Sequence, residues 1–174
     1  SFINQAEEGY LFPDTYLLDS GGTPGDHLNR ISNNFNEKFD ARLQAELLAQ
    51  DIRNDTAIKI ASQIERETGS DEDKPIISGI IWNRLNQDMK LQIDATSHNI
   101  LGQPGNWWPR IKPTDHKRES PYNTYLYQGL PPGPIANPSL ASIKAVVYPS
   151  QTDCLYYIHD RNKSIHCSKT YQEH

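Results

Sequence analysis

The segment IASQIERETG, residues 60–69, places carboxylates in a pattern that is typical of a helix. At about 100° per residue, Glu65 falls inside an apolar arc, between Ala61 and Ile58. A carboxylate against an apolar wall is desolvated, which raises its pKa, and a carboxyl group that keeps its proton can act as a general acid. The pattern therefore makes Glu65 a candidate acid. The alternative is a carboxylate at the edge of the arc that pairs with Arg84.

A second carboxylate would be needed by an ordinary glycosidase. Such enzymes use two carboxyl groups, about 5 Å apart when they retain and about 6.5–9.5 Å apart when they invert configuration. The candidates are Glu67, Asp94 and Asp14. Glu67 lies on the other flank of the arc, where a solvated or helix-stabilising carboxylate is the simpler interpretation. Asp94 lies on the polar side of LQID, so we expect it to orient a substrate or support the structure.

The loops are dense in groups that hydrogen-bond to sugars or stack on them. Loops held rigid by Pro and Gly, as in GLPPGPIANP, can fix such groups in place. Trp107 and Trp108 either stack on sugar rings or bury themselves on the core. The candidate substrate-binding residues are Gln92, Asp94, Thr96, Tyr122, Asn123, Thr124, Tyr125 and Asn137, and Glu67, Asn83 and Arg84 are candidate supporting residues.

Four helical regions would position these side chains. Apolar residues recur at three- and four-residue spacing from Leu28 to about Gln50, which predicts one long amphipathic helix or two in line. The helix that carries Glu65 is predicted to start near Asp55 or Thr56 and to end before Gly69, as a C-terminal cap. DEDKPIISGIIWNRLNQ predicts a third region, and Asn137-Pro138 begins a fourth that runs through Val147.

The strand signals are few and local. MKLQIDAT alternates apolar and polar residues, which predicts a short strand or an extended edge, and CLYYIHDRNKSIHC predicts a terminal hairpin. The predicted class is therefore α+β, mainly helical with short strands and a C-terminal β-hairpin. We expect one domain over residues 1–174: an extended segment and amphipathic helices in 1–50, the Glu65 helix and substrate loops in 51–148, and the hairpin in 149–174.

The two cysteines flank the predicted hairpin. If the turn centres on DRNK, Cys154 and Cys167 lie on one face of the sheet, opposite or diagonal, close to the Cα separation of about 4.4–6.8 Å that a disulfide needs. A bridge would indicate an oxidising compartment. The alternative is two small buried thiols.

Composition excludes several classes of function. The net charge is -5 and no Lys/Arg cluster offers a phosphate-binding face, so a nucleic-acid partner is not expected. No apolar run approaches the roughly 20 residues that cross a bilayer, and no signal peptide is visible, so we expect a soluble fragment of a longer protein. The histidines are scattered, and His159 and His166 are expected to pack or hydrogen-bond in the hairpin; neither a metal nor a cofactor is predicted.

Five blocks then carry a resemblance to a known family: EEGYLFPDTY, IASQIERE, IIWNRLNQDMKLQIDAT, SPYNTYLYQGLPPGPIANP and HCSKTYQEH. In this order they resemble the endolytic murein transglycosylases of the MltG type, also called the YceG-like family, over nearly the whole chain. The resemblance implies that Glu65, the first Glu of the IERE block, is the catalytic acid/base. The chain departs from the family at Asp88, where Gly is frequent, and at Ala95, where Pro is frequent; these changes affect loop geometry and remove no reactive group.

The resemblance also implies a reaction. A lytic transglycosylase cuts the MurNAc–GlcNAc bond of peptidoglycan without water: one Glu protonates the glycosidic oxygen and then takes the proton of the sugar's own C6 hydroxyl, which closes a 1,6-anhydro ring. The implied partners are glycan strands and, in the full-length protein, peptidoglycan synthases. The implied location is the extracytoplasmic face of the bacterial membrane, through an anchor that precedes this segment together with a LysM-like subdomain.

Three other functions are alternatives to this one. A glycoside hydrolase would use Glu65 as acid and Asp94 as base or nucleophile, and would leave reducing ends. A cell-wall glycan-binding module would bind without turnover. A pyridoxal-phosphate lyase, suggested by the old family label aminodeoxychorismate lyase, would need a Gly-rich phosphate cradle and a lysine in an apolar setting, and the sequence offers neither convincingly.

Overall fold

Helices dominate the computed structural model, which describes residues 7–174. None of the helices within those residues is long and apolar enough to cross a membrane. The two strands pair with each other in an antiparallel hairpin, and the predicted α+β class is confirmed. The elements are α1 (Pro24–Lys38), α2 (Ala41–Ala49), α3 (Asn54–Glu67), α4 (Lys74–Asn86), α5 (Asp94–Leu101), a 3₁₀ turn (Asp115–Lys117), α6 (Leu140–Val147), β1 (Tyr156–His159) and β2 (Ile165–Ser168).

Helix α3 is the centre of the molecule. It packs against α6 and α4 most extensively, and also against α5 and α2. Each large aliphatic side chain that α3 buries fully contributes roughly 1.5–3 kcal/mol to the stability of the fold through its removal from water. The last turn of α3 is therefore held by the core on which the fold depends. Its fully buried apolar residues are Ala57, Ile58, Ile60, Ala61 and Ile64, the arc predicted from the sequence.

The helix ends differ from the predicted ones by a few residues. The first region is two helices, and Asp40 caps the second by accepting a hydrogen bond from the Leu43 backbone N–H (2.9 Å). The predicted cap of α3 at Gly69 is wrong, because Thr68 follows the last helical residue in an extended conformation. Helix α6 begins later than expected, with Ser139 as its N-cap. Residues 1–6 of the predicted N-terminal segment lie outside the described residues.

The prediction of a strand within MKLQIDAT is wrong. Residues 90–93 are irregular, the backbone turns at Gln92 (φ 51°), and α5 begins at Asp94. The alternation is nevertheless real, because Leu91 and Ile93 are buried while Gln92 and Asp94 are exposed. The segment bonds to Thr124, which accepts from the Gln92 N–H (3.1 Å) and, through its hydroxyl, from the Ile93 N–H (2.9 Å). A period-two pattern fits this half-buried connection as well as it fits a strand.

The departure at Asp88 has a backbone explanation. Its φ is 54°, in the left-handed region that Gly adopts without cost. Asp is among the few other residues that enter this region readily. The family that the chain resembles frequently has Gly at this position, which suits the same left-handed turn.

A disulfide closes the C-terminal hairpin. Cys154 and Cys167 are bonded, with their Cα atoms 5.8 Å apart, so the bridge is present in the structure. The prediction that the two cysteines lie opposite or diagonal to each other in the sheet is wrong. Cys167 pairs with Tyr157, and Cys154 precedes β1. Asn83 of α4 donates to the carbonyl oxygens of Thr152 (2.7 Å) and Cys154 (3.0 Å), which fastens the hairpin to the core.

Candidate active site

The Glu65 carboxylate in the last turn of α3 is held through one of its two oxygens. Its Oε2 accepts hydrogen bonds from the Ser139 N–H (2.9 Å), the Ser139 hydroxyl (2.6 Å) and the Ser142 hydroxyl (2.6 Å). The Lys74 Nζ lies 3.5 Å from the same oxygen. Within residues 7–174 no hydrogen bond is made to Oε1, and the side chain is 26% exposed. One carboxylate oxygen is thus anchored, while the other has no hydrogen-bond partner in this part of the chain.

Two helix N-termini converge on this carboxylate. Ser139 is the N-cap of α6 and Ser142 lies in its first turn, so the positive end of the helix is directed at Glu65. Lys74 is the first residue of α4 and is only 4% exposed; its ammonium also contacts Asp71 (2.7 Å) and the Ser139 hydroxyl (3.0 Å). Helix α3 supplies the carboxylate, and α4 and α6 supply the groups that stabilise its charge.

The predicted rise in the pKa of Glu65 is wrong. Burial is the largest single influence and does raise the pKa, but the hydrogen bonds from Ser139 and Ser142 and the charge of Lys74 together outweigh it. The pKa of Glu65 therefore lies below its usual range. The alternative partner, Arg84, is also wrong, because its guanidinium donates to the carbonyl oxygens of Leu91 and Leu155.

Removal of the Ser142 hydroxyl tests this arrangement. We expect Ser142→Ala to raise the pKa of Glu65 and to cost about 1.5–3 kcal/mol of unfolding free energy at neutral pH, as for a hydrogen bond to a charged group. Because the folded-state pKa of Glu65 is lowered, the stabilisation is present above the unfolded pKa and is lost as the pH falls through the folded pKa. The stability gap between parent and variant should therefore narrow in acid.

Denaturant unfolding across pH, with NMR titration of the Glu65 carboxyl carbon, measures both effects. Ser78→Ala is the matched control, because the Ser78 hydroxyl is buried and has no hydrogen-bond partner among residues 7–174. It should leave the Glu65 titration where it is in the parent. A stability gap for Ser142→Ala that does not change with pH would show that the hydroxyl does not act on the charge of Glu65.

Glu67 has the environment that was predicted for Glu65. It lies about 200° around α3 from Glu65, and its Oε2 accepts a hydrogen bond from the Tyr157 hydroxyl (2.5 Å). Burial raises the pKa of Glu67 in spite of this bond, and the negative charge of Asp94 raises it further. The interpretation of Glu67 as a solvated carboxylate is wrong. It joins the end of α3 to β1.

Three predicted binding residues come together in a cleft of about 500 Å³ next to Glu67: Gln92, Asp94 and Tyr125. The Tyr125 hydroxyl donates to Asp94 Oδ1 (2.5 Å), and the His116 ring stacks on Tyr125 with ring centres 3.8 Å apart. Arg84 and three further tyrosines, at 156, 157 and 171, also line the cleft. Glu65 does not line it, so the Glu65 site and the cleft lie on two sides of the last turn of α3.

Other predicted residues are buried and hold the loops. The Thr96 hydroxyl donates to the Ile93 carbonyl (2.7 Å) and lies 3.0 Å from the Thr124 hydroxyl. Asn123 donates to the carbonyl oxygens of residues 116 and 118 and accepts from the Tyr125 N–H (2.9 Å). Thr96, Asn123 and Thr124 are at most 2% exposed and therefore do not face the cleft. Their hydrogen bonds hold the backbone that carries Gln92, Asp94 and Tyr125.

Asn137 and Tyr122 lie elsewhere. The Asn137 side-chain oxygen accepts from the Gly9 N–H (2.8 Å) and the Leu11 N–H (3.1 Å), so it binds the N-terminal segment to the loop before α6. Tyr122 is half-buried, with its hydroxyl against Gly133. In the hairpin, His166 lies 3.1 Å from Asp160, as expected for a hydrogen-bonding residue.

Sequence reasoning missed Lys74, Ser139 and Ser142. Lys74 follows three acidic residues in DEDKP, a pattern typical of a solvated helix start, and Ser139 stands in the sequence only as part of the segment that begins a helix. Ser139 and Ser142 have the spacing of a helix cap and its third residue, which was the available signal for an N-terminus able to bind an anion. No signal in the sequence indicated that both N-termini would meet at Glu65.

Comparison with known proteins gives the relatives of this chain. A family model described as the YceG-like family matches residues 1–174. A curated relative from Bacillus subtilis, named endolytic murein transglycosylase, is 33% identical over 172 residues, which is 99% of this chain and 47% of the relative. A protein of the same name from Streptococcus pneumoniae is 31% identical over 158 residues, 88% of this chain and 28% of that protein.

A solved structure agrees with the fold. The 2.6 Å crystal structure of a YceG-like protein from Listeria monocytogenes superposes with a TM-score of 0.87 at 32% identity, covering 95% of this chain and 53% of the other. The chain therefore spans about half the length, or less, of the proteins that it matches.

Proposed function

Because this chain belongs to the YceG-like family, we propose that it is the catalytic region of an endolytic peptidoglycan lytic transglycosylase. Such an enzyme cleaves the MurNAc–GlcNAc bond within glycan strands and leaves 1,6-anhydro-MurNAc ends. The names of the relatives support the reaction class. The structural observation that carries the proposal is the Glu65 carboxylate, which is fixed through Oε2 and accepts no hydrogen bond at Oε1 from residues 7–174.

In the first step, Glu65 protonates the leaving glycosidic oxygen through Oε1. Its lowered pKa means that the carboxylate form dominates in the free protein at neutral pH. A sugar that covers Oε1 removes water from the carboxyl group, and this further desolvation favours the protonated form. Substrate binding and protonation of Glu65 are therefore coupled, and the acid is most effective on the bound glycan.

As the glycosidic oxygen is protonated, Glu65 becomes negative. Ser139, Ser142 and Lys74 are already in place to stabilise that charge, so no reorganisation is required as it develops. The contacts that lower the pKa of Glu65 thus stabilise the state in which the first step ends. The carboxylate then accepts the proton of the C6 hydroxyl, whose oxygen bonds to C1 and closes the anhydro ring, and Glu65 is protonated again.

The surroundings of Glu67, Asp94 and Asp14, the three candidates for a second carboxylate, favour this mechanism over two-carboxylate hydrolysis. Glu67 faces the opposite side of α3 and is bonded to Tyr157, and Asp94 accepts from Tyr125 in the cleft that Glu65 does not line. Asp14 lies on the exposed N-terminal segment and accepts from Asn34 (3.1 Å). Among the described residues, none of these three carboxylates contacts Ser139, Ser142 or Lys74, the partners of Glu65.

The cleft beside Glu67 is proposed to bind an adjoining part of peptidoglycan through Gln92, Asp94 and Tyr125. We propose that this region acts outside the cytoplasmic membrane, where the Cys154–Cys167 bridge is chemically permitted. We also propose that the membrane anchor, the LysM-like subdomain and the contacts with peptidoglycan synthases belong to the full-length protein, since the relatives are about twice as long or more.

Mass spectrometry of glycan fragments tests the proposal. Purified peptidoglycan is incubated with the chain, and the fragment ends are compared with those from a muramidase digest. Anhydro ends, one water lighter than reducing ends, are the expected product. Reducing ends would instead establish a hydrolase, and binding of glycan without any cleavage, in the full-length protein as well, would indicate a binding module.

A further inference from the structure

Two adjacent tryptophans on the loop after α5 are open to solvent. Trp107 is 59% exposed and Trp108 is 57% exposed. The third tryptophan, Trp82, is partly buried and packs against the core. Of the two interpretations made from the sequence, burial of the loop tryptophans on the core is therefore wrong. Exposure of two neighbouring indoles needs another explanation, because such side chains are ordinarily among the most buried on average.

The exposed pair is held in a defined position. The loop reverses at a bridge in which the backbone N–H groups of Gln103 and Asn106 each donate to the other's carbonyl (3.2 and 2.8 Å). The Trp107 ring packs so close to Gly102 that an added Cβ there would lie 3.2 Å from it. The Trp107 ring thus packs on the backbone of its own loop, while both indoles remain more than half exposed to solvent.

Trp108 is tied directly to the helix that carries Glu65. The Arg66 guanidinium stacks on the Trp108 ring, 3.3 Å from its centre, and the His98 ring meets Trp108 edge-on at 5.5 Å. Arg66 is the residue after Glu65 in the last turn of α3. The cation–π contact therefore joins the aromatic loop to the turn that positions the proposed catalytic group.

We propose that Trp107 and Trp108 form a stacking platform for the pyranose rings of a glycan strand, outside the position of bond cleavage. A β-1,4-linked sugar presents axial C–H bonds on its ring faces, and these pack on the flat indole while the equatorial hydroxyls stay in water. The inference rests on the proposed function, which supplies the glycan. It assigns the loop to substrate binding and not to the proton transfers.

The surroundings of the indoles favour a sugar over a membrane or a protein partner. The two indoles lie in a loop whose residues Gln103, Asn106 and Arg110 are polar and exposed. A protein interface generally needs about 800 Å² on each side, and functional apolar patches commonly reach several hundred Å². Two indoles with polar neighbours match the size of one or two sugar rings.

The experiment compares Trp107→Ala, Trp108→Ala and the double variant with the parent. Binding is measured on the Glu65→Gln background by calorimetry, with soluble β-1,4-linked GlcNAc oligosaccharides and with isolated glycan strands. Each single change should weaken binding about tenfold, by analogy with ring stacking on aromatic side chains. In the active protein, KM should rise by a similar factor while kcat for the bound strand stays unchanged.

Two controls separate stacking from a structural role. Trp107→Phe and Trp108→Phe keep an aromatic face and should retain most of the binding. Tyr148→Ala removes an exposed aromatic side chain (48% exposed) that follows α6, and should leave binding at the parent level. Thermal unfolding of the Trp107 and Trp108 variants should match the parent closely, because the removed side chains are more than half exposed.

Unchanged binding and KM in the double alanine variant, with a parent that still cleaves glycan to anhydro ends, would overturn the platform and leave the proposed function standing. Equal losses in kcat and in thermal stability would also overturn it, since that result assigns the loop to the fold. A parent that neither binds nor cleaves glycan, including in the full-length protein, would overturn both proposals.

Discussion

Replacement of Glu65 by Gln is expected to reduce glycan cleavage by about 10²–10⁴-fold, the usual contribution of a general acid/base. The amide cannot donate an acidic proton to the glycosidic oxygen or accept one from the C6 hydroxyl. Its carbonyl oxygen can take the place of Oε2 and accept from Ser139 and Ser142, while its NH₂ takes the open position of Oε1. The fold should therefore persist, and release of anhydro ends beside a thermal unfolding curve measures both statements.

Two matched variants make this result specific. Glu37→Gln removes an equal charge from an exposed position on α1 and should cleave like the parent. Glu67→Gln keeps a side-chain oxygen that can accept from the Tyr157 hydroxyl and leaves the contacts of Glu65 in place, so most activity should remain. If Glu65→Gln kept most of its activity while Glu67→Gln lost it, the acid/base role would pass to Glu67 and the mechanism above would be wrong.

Loss of the disulfide is the second change with a large expected effect. Cys154→Ala with Cys167→Ala should lower the unfolding free energy by about 3 kcal/mol, because the bridge closes a loop with a sequence separation of 13 and restricts the unfolded chain. The folded side contributes as well. Asn83 and Arg84 bind carbonyl groups next to Cys154, and Tyr157 of β1 reaches Glu67, so a loosened hairpin also loosens the wall of the cleft.

Denaturant unfolding of parent and double variant, each with and without a reductant, measures the effect. The reductant should destabilise the parent to nearly the level of the double variant and should leave the variant unaffected. Intact-mass analysis gives the same information chemically, since the bridged parent is two hydrogen atoms lighter than the reduced one. A parent whose unfolding does not respond to a reductant would show that the two thiols are not joined.

Local patterns were sufficient for most elements of this fold, but not for α5, which begins at Asp94. The apolar arc of α3, the α+β class and the terminal hairpin all follow from periodicity, which depends only on neighbouring residues. The same kind of reasoning failed at MKLQIDAT, because a strand requires a partner and the segment instead bonds to Thr124, far along the chain. Helix ends were predicted only to within a few residues, because a cap can depend on contacts with distant residues. Ser139, for example, caps α6 and also donates to Glu65 of α3.

The sequence predicted which residues form the candidate site better than it predicted the pKa values of its carboxyl groups. The sequence indicated Glu65, and it indicated Gln92, Asp94 and Tyr125, which the fold brings into one cleft. It did not indicate which carboxyl group would have the raised pKa. Burial alone was foreseen for Glu65, whereas the pKa is decided by burial together with the donors that face the charge.

The sequence by itself determined that a carboxylate would stand in the apolar arc of a helix, because side-chain direction along a helix follows from spacing alone. Only the tertiary structure decided what that carboxylate meets. Lys74 and the Ser139–Ser142 cap come from the N-termini of α4 and α6, and they reach Glu65 because those two helices pack against α3. Such convergence depends on distant segments sharing one core, and a local pattern carries no record of which helix ends will meet there.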